Sequence, residues 1–197
     1  MILEISKASI KLHDAEYVLS EWDIKNGKAI NYISQVAADI MSVNPRNILI
    51  VGLGGGSVLG ELARLGLGTI VLSLVTCVEI DDRMIQHYHT FKQYYKKDCN
   101  PSIMHCDFMH LNCKNSFDVI FGDIPCFYEE TSVEQKQDIV SIMMRHSRVG
   151  TVWILNVLFV ENMREWIHFF RDANLPTSRV RPCYWGGNCL LKLKIIS

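Results

Sequence analysis

The stretch from Asn47 to Leu65, reading NILIVG, LGGGS and VLGELARL, constrains the fold of this chain more than any other. Ile48 to Val51 is a run of branched apolar residues, as a strand buried on both faces of a parallel sheet requires. Gly52, Gly54, Gly55 and Gly56 follow at once, and after Ser57 the apolar positions Val58, Leu59, Leu62, Ala63 and Leu65 recur at helical spacing. Ser57 is expected to be the N-cap, its hydroxyl accepting from a free amide of the first turn. Glycines let the backbone turn tightly and approach a ligand with no Cβ in the way. The helix start then presents unpaired N–H groups to whatever lies there. Strand, glycine turn and helix together predict a nucleotide site.

With 197 residues, of which 49% are hydrophobic, the chain can build one full core. Its formal net charge of −1 gives no global field to draw nucleic acid or an acidic membrane. No apolar run reaches the ~18 residues of a membrane span, and no signal-peptide pattern opens the sequence. Seven cysteines, an odd number without a CxxC pair, predict free thiols in a reducing, cytoplasmic compartment.

LEISKASIKL and EYVLSEW in residues 1–28 predict a small N-terminal β extension, a hairpin or three strands with Asp14 and Ala15 at a turn. The main domain is expected over residues 29–197. Helices are predicted over Ala29–Met41, from Ser57, and over Asp82–Lys96, Ser132–His146 and Val160–Ala173. Strands are predicted over Val75–Glu79, with Ile70–Leu74 as a lead-in, and over Ser102–Cys106, Phe117–Phe121 and Thr151–Val157. Arg179–Tyr184 and Cys189–Ile195 flank Gly186-Gly187 as a hairpin. Strands alternating with helices give the α/β class, a doubly wound, mostly parallel sheet ending in an antiparallel hairpin.

Open α/β sheets bind ligands at the carboxyl ends of their strands. The glycines end the first strand. Glu79 ends the second, about 20 residues beyond the glycines, where an acid can accept from both hydroxyls of a ribose. Asp107 ends the third and can accept from an adenine amino group. Asp123 ends the fourth. The glycine pattern is GxGxG, not GxGxxG, which favours an adenosyl-sulfonium ligand over a dinucleotide with a pyrophosphate to seat.

NILIVGLGGGSVLGEL, VTCVEIDDRMI, HCDFMHL and FDVIFGDIP resemble the successive motifs of the spermidine synthase-like branch of class I S-adenosylmethionine-dependent methyltransferases. The resemblance covers roughly Ala29 to Val157 and extends to the Gly-Gly hairpin. It implies a Rossmann-like methyltransferase fold. It also implies that Gly52, Gly54 and Gly56 cradle the amino-acid end of S-adenosylmethionine or its decarboxylated form. Glu79 would hold the ribose hydroxyls, and Asp107 with Phe108 would flank the adenine. Gly55, Ser57, Ile80 and Asp123 complete the implied cofactor-binding set, and Asp123 falls at the family's first active-site aspartate. Two family acids are replaced here, by Gly55 in the glycine turn and by Cys126 three residues after Asp123. A diamine is cationic and needs carboxylates around it. Methyl transfer to an unidentified small-molecule or macromolecular acceptor is therefore the first expectation. Aminopropyl transfer in polyamine synthesis is the alternative, and a non-catalytic nucleoside-binding or dimerisation module the third. The resemblance also implies a homodimer, with apolar residues of the N-terminal strands as its surface.

Methyl transfer needs mainly alignment, with a group that orients the nucleophile or accepts its proton. Asp123 is the candidate, with His105, His110 and Tyr128 behind it. Residues 123–127, DIPCF, are similar to the Asn/Asp-Pro-Pro-Tyr loop of amino-methylating enzymes, which draws attention to Phe127 and Tyr128. A Lys-Asp-Lys-Glu set would draw on Lys28 or Lys136, but the fifth strand ends in Asn156 rather than lysine. Cys99, Cys106, His110 and Cys113 match no zinc-finger spacing, so no metal is expected.

Overall fold

A computed structural model describes residues 1–14, 17–30, 32–66, 74–97, 100–114, 116–127, 130–173, 175, 181–185 and 188–196. The first four strands, β1 (Ile2–Ile5), β2 (Ser9–Asp14), β3 (Tyr17–Asp23) and β4 (Lys28–Ala29), form an antiparallel sheet in that order. The two-residue β4 goes beyond the expected hairpin or three strands. Asn26 and Gly27 turn the chain back, with the Asp23 carboxylate accepting from the Asn26 N–H at 2.9 Å. Trp22 and Asp23 then pair with Ala29 and Lys28. That pairing explains why the helix predicted from Ala29 begins later, as α1 (Ile33–Ser42).

At the centre of the second sheet is β5 (Ile48–Val51), buried along its whole length. It pairs in parallel with β6 (Val75–Glu79) on one side and β8 (Val119–Gly122) on the other. Beyond β6 lies β7 (Ser102–His105), and beyond β8 lie β9 (Val152–Asn156), β11 (Asn188–Lys194) and β10 (Arg181–Trp185). The spatial order is β10-β11-β9-β8-β5-β6-β7. The last two strands run antiparallel, with Trp185 opposite Asn188. Gly186 and Gly187, the expected turn, lie outside the described residues, as do residues 70–73 of the expected lead-in strand.

Alternation along β5 splits the core in two. Ile48 and Ile50 pack with α1, α2 (Ser57–Arg64) and α3 (Asp82–Lys92), and with Ile10, Leu12 and Trp22 of the N-terminal sheet. Leu49 and Val51 pack with α4 (Val133–Arg145) and α5 (Val160–Asp172), whose Ile139, Met143, Trp166 and Phe170 fill the opposite face. Helices on both faces of a mostly parallel sheet are the doubly wound arrangement. Ser132 and Gln135 form a reciprocal capping box that starts α4. The expected extension of α3 to Lys96 is not helical. Tyr95 instead turns inward, its ring 4.6 Å from that of Trp22. No helix among the described residues is long and apolar enough to cross a membrane.

The N-terminal segment is tied to α2 by a buried acid. Glu61 accepts from the Ala29 N–H at 3.2 Å and the Ser34 hydroxyl at 2.8 Å, and Arg64 donates to both its oxygens. Burial alone would raise this carboxyl, but the bonds from Arg64, Ser34 and Ala29 outweigh it and hold the group below its ordinary value.

Candidate functional site

Where β5 ends, three glycines adopt left-handed backbone, with φ of 87° at Gly52, 52° at Gly54 and 71° at Gly56. They do so for different reasons. A Cβ on Gly52 would sit 2.2 Å from the Asp123 carbonyl oxygen, so this position lets the exits of β5 and β8 touch. A Cβ on Gly56 would strike the Tyr88 ring at 2.4 Å. A Cβ on Gly54 would meet nothing within 4 Å, so here bare backbone faces open space. Gly55 departs from the sequence expectation. It faces the body of the protein, against Phe91 and Ser20, and its carbonyl accepts from the Tyr95 hydroxyl at 2.8 Å. Ser57 also departs from it. The N-cap is Gly56, and Ser57 is the first helical residue, its hydroxyl hydrogen-bonded to that of Ser20 on β3. The left-handed turn at Gly56 carries the chain directly into the helix, so the serine is left to anchor the N-terminal sheet.

The acid at the end of β6 lies across from this turn. Glu79 Oε2 accepts from the Leu53 N–H at 2.9 Å, and Oε1 from the N–H groups of Ile80 and Asp81 at 2.8 and 2.9 Å. Three of its roughly four acceptor sites are thus filled by backbone, and one on Oε2 remains for a ligand. Ile80 beside it is 63% exposed, a large apolar side chain open to solvent. At the end of β7, Asp107 caps a short 3-10 turn by accepting from the Met109 N–H at 2.9 Å. Phe108 follows it and is buried.

At the end of β8 the sequence prediction was incomplete. The Tyr32 hydroxyl donates to Asp123 Oδ2 at 2.6 Å, and Asn156 Nδ2 donates to Oδ1 at 2.8 Å. Asn156 Nδ2 also reaches the Tyr32 oxygen at 3.3 Å. Asp123 borders the cavity, yet burial raises its carboxyl above the usual carboxylate range, and the bonds from Tyr32 and Asn156 only partly oppose the rise. Tyr32 stands just before α1 and Asn156 at the end of β9. The sequence signals Asn156 as a polar residue near the end of a predicted strand, but it does not signal Tyr32, which falls inside the helix predicted over Ala29–Met41.

Gly52, Gly54, Gly56, Ser57, Glu79, Ile80, Asp107, Phe108, Asp123, Tyr32 and Asn156 line a cavity of about 1420 Å³ along the carboxyl ends of the parallel strands, and Gly55 does not. Among the described residues, Glu79, Asp81, Asp107, Asp123 and Glu130 supply negative charge to its wall, and Arg83, which is paired with Asp81, is the positive residue. Met1, Val18, Leu19 and Ser20 of the N-terminal sheet border it too, as do Leu158 and Phe159 beyond β9.

Other candidates fall elsewhere. His105 and His110 do not border the cavity; His105 Nε2 lies 3.0 Å from the Ile80 carbonyl oxygen. Lys136 is buried on α4, where it pairs with Glu165 at 3.0 Å and lies over the Trp166 ring. No lysine borders the cavity among the described residues. Phe127 is core, with its ring 5.7 Å from that of Trp166. Cys113 Sγ sits 3.6 Å from His146 Nδ1 rather than beside Cys106 and His110 in a ligand set. Tyr128 and Cys99 lie outside the described residues.

The sequence matches no protein-family model and no curated protein. The fold has relatives among solved structures. The ribosomal protein L11 methylase of Lactobacillus delbrueckii subsp. bulgaricus superposes with a TM-score of 0.63 at 13% identity, over 84% of this chain and 77% of that one. An S-adenosylmethionine-dependent methyltransferase of Clostridium acetobutylicum gives 0.60 at 11% identity, over 84% and 91% of the two chains. Magnesium protoporphyrin IX methyltransferase of Synechocystis, crystallised with S-adenosylmethionine, gives 0.59 at 16% identity, over 84% and 78%. These likenesses, with the strand order and the closing antiparallel pair, establish the fold as that of the class I S-adenosylmethionine-dependent methyltransferases.

Proposed function

We propose that this chain is an S-adenosylmethionine-dependent methyltransferase of the spermidine synthase-like branch, acting on an acceptor held at Asp123. The observation that carries the reading is the juxtaposition, in one acid-lined cavity, of the open backbone at Gly54 with Asp123 and its two donors, Tyr32 and Asn156. The residues present fit the cofactor. Bare backbone at Gly54 admits its amino-acid end, the free acceptor site on Glu79 suits one ribose hydroxyl, and Ile80, Asp107 and Phe108 supply an apolar and acidic seat for adenine. Carboxylates along the wall suit a cationic sulfonium. When bound, the cofactor would supply an electrophilic methyl group to a heteroatom of the acceptor, with its sulfur keeping the electron pair of the broken bond.

Asp123 accepts a hydrogen bond from the acceptor's head group, aims its lone pair, and takes the proton displaced on methylation. Tyr32 and Asn156 hold the carboxylate in place, one on each oxygen.

Aminopropyl transfer from decarboxylated S-adenosylmethionine is the second reading, favoured by the same acid-rich wall. It is weakened by Gly55 facing Phe91 and by Cys126 bordering the cavity where the family has an acid. A nucleoside-binding module without catalysis is the third. The reading extends to a homodimer through the N-terminal sheet, whose edge strand β1 exposes Ile2 and Ile5.

Calorimetry with S-adenosylmethionine, S-adenosylhomocysteine and the decarboxylated compound separates these readings. Binding of the first two supports methyl transfer. Preference for the third supports aminopropyl transfer. Binding without turnover on any acceptor supports the module, and no binding of any would end all three.

A further inference from the structure

The wall near Asp123 is of a different character from the rest of the cavity. Beyond β9 the chain makes a bend in which Leu158 takes left-handed backbone, φ 57°, a conformation disfavoured for a bulky side chain. Four hydrogen bonds hold the bend. The Leu158 N–H donates to Asn156 Oδ1 at 3.2 Å, its carbonyl accepts from Cys189 at 3.1 Å, Val157 N–H donates to the Cys189 carbonyl at 2.9 Å, and Phe159 N–H to Val157 at 2.6 Å. Asn156 thus contacts both Asp123 and the bend. The result is that Leu158 and Phe159 border the cavity, with Phe159 44% exposed. Val18, 48% exposed, and Leu19 border the same cavity from β3. Exposed apolar side chains around a polar centre are the usual make-up of a ligand site.

We propose that Leu158 and Phe159 are specificity-determining residues for the acceptor, selecting a small amine with one nitrogen head and an apolar body. The proposal rests on the methyltransferase reading, in which Asp123 receives the head group. Charge complementarity fixes the class. Asp123 and Glu130 favour a basic head over a phosphate or carboxylate, and the cation that lines the wall among the described residues, Arg83, is paired with Asp81. The body is fixed by what the bend presents. Leu158 and Phe159 offer hydrocarbon, which gives no compensation for a second desolvated ammonium but gains from covering an alkyl or aryl group.

The test is calorimetry of the full chain with phenethylamine and with 1,4-diaminobutane, in the presence and absence of S-adenosylhomocysteine. Both probes carry an ammonium head and differ in the body. Phenethylamine is expected to bind more tightly by about tenfold, the scale of one buried apolar contact. Phe159→Ala should erase that preference, and Phe159→Glu should turn it toward the diamine, with affinity for S-adenosylhomocysteine held within about twofold. Equal or tighter binding of the diamine to the wild-type chain would overturn the proposal, as would a preference unchanged in both Phe159 variants, or no binding of either amine. Failure of S-adenosylhomocysteine to bind counts against the methyltransferase reading alone, because the amine preference is also read on the unliganded chain.

Discussion

At the β5–β6–β7 end of the cavity, Glu79 accepts from the backbone of Leu53, Ile80 and Asp81, and Asp107 accepts from the backbone of Met109. At the β8–β9 end, Asp123 is held by the side chains of Tyr32 and Asn156, which are 91 and 33 residues away in sequence. The first end is mostly built from local turns, and its acids are pinned by amides that the strand ends supply in any case. The second depends on the whole fold to bring three side chains together, and burial there raises the central carboxyl. Rigid backbone bonds suit a ligand that must be seated the same way each time. A side-chain cluster around a perturbed acid suits proton transfer, because its pKa can be set by its partners.

If the two ends are separable in this way, Asp123→Ala should lower the methyl-transfer rate by about 10²–10⁴-fold while changing affinity for S-adenosylhomocysteine little. Equal losses in both would mean that the ends act as one site. Gly52→Ala attacks the contact between them, since its Cβ would lie 2.2 Å from the Asp123 carbonyl oxygen. It should cost about 3 kcal/mol of stability by denaturant unfolding, the upper range for a strained backbone position. Glu79→Gln leaves one side-chain oxygen for three backbone N–H donors. It should cost about 1–3 kcal/mol of stability and about tenfold in affinity for S-adenosylhomocysteine. Tyr32→Phe sharpens the comparison through pH. Activity that needs ionised Asp123 falls as pH drops through its raised pKa, and the Tyr32 hydroxyl is one of the bonds that lower that value. Its removal should move the acid limb of the kcat profile to higher pH, with a loss of about tenfold on that limb. An unmoved limb would take Asp123 out of the proton transfer.

The same division explains what the sequence made legible. The positions of the parallel strands, the left-handed glycines and the acids at the ends of β6, β7 and β8 follow from local chemistry: branched runs, residues that tolerate positive φ, and polar groups that close strands. Tyr32 carried no such signal, because it falls inside the helix predicted over Ala29–Met41, and only the later start of α1 and its approach to β8 give the hydroxyl its partner. The same holds for Leu158, a leucine in a glycine-like conformation that bonds to Asn156 and Cys189 impose. The motif puts Gly55 at the ligand and Ser57 at the helix cap, but tertiary contacts turn Gly55 inward and leave the cap to Gly56, while Ser57 still borders the cavity. Ser20, Phe91 and Tyr95 take up the inward side of the turn, where the N-terminal sheet docks. Helix starts shifted where a strand pair or turn competed, as β4 did with the first turn predicted for α1.

The central claim is that the open backbone of the glycine turn receives an adenosyl ligand, and Gly54 tests it most directly. A Cβ there meets no protein atom, so Gly54→Ala should cost only about 1 kcal/mol of stability, from its φ of 52°. The ligand would meet that methyl group. Titration calorimetry with S-adenosylhomocysteine should therefore show binding to the wild-type chain and a loss of about tenfold or more in the variant, at nearly unchanged melting temperature. Absence of binding to the wild-type chain, or equal binding to both, would contradict the account.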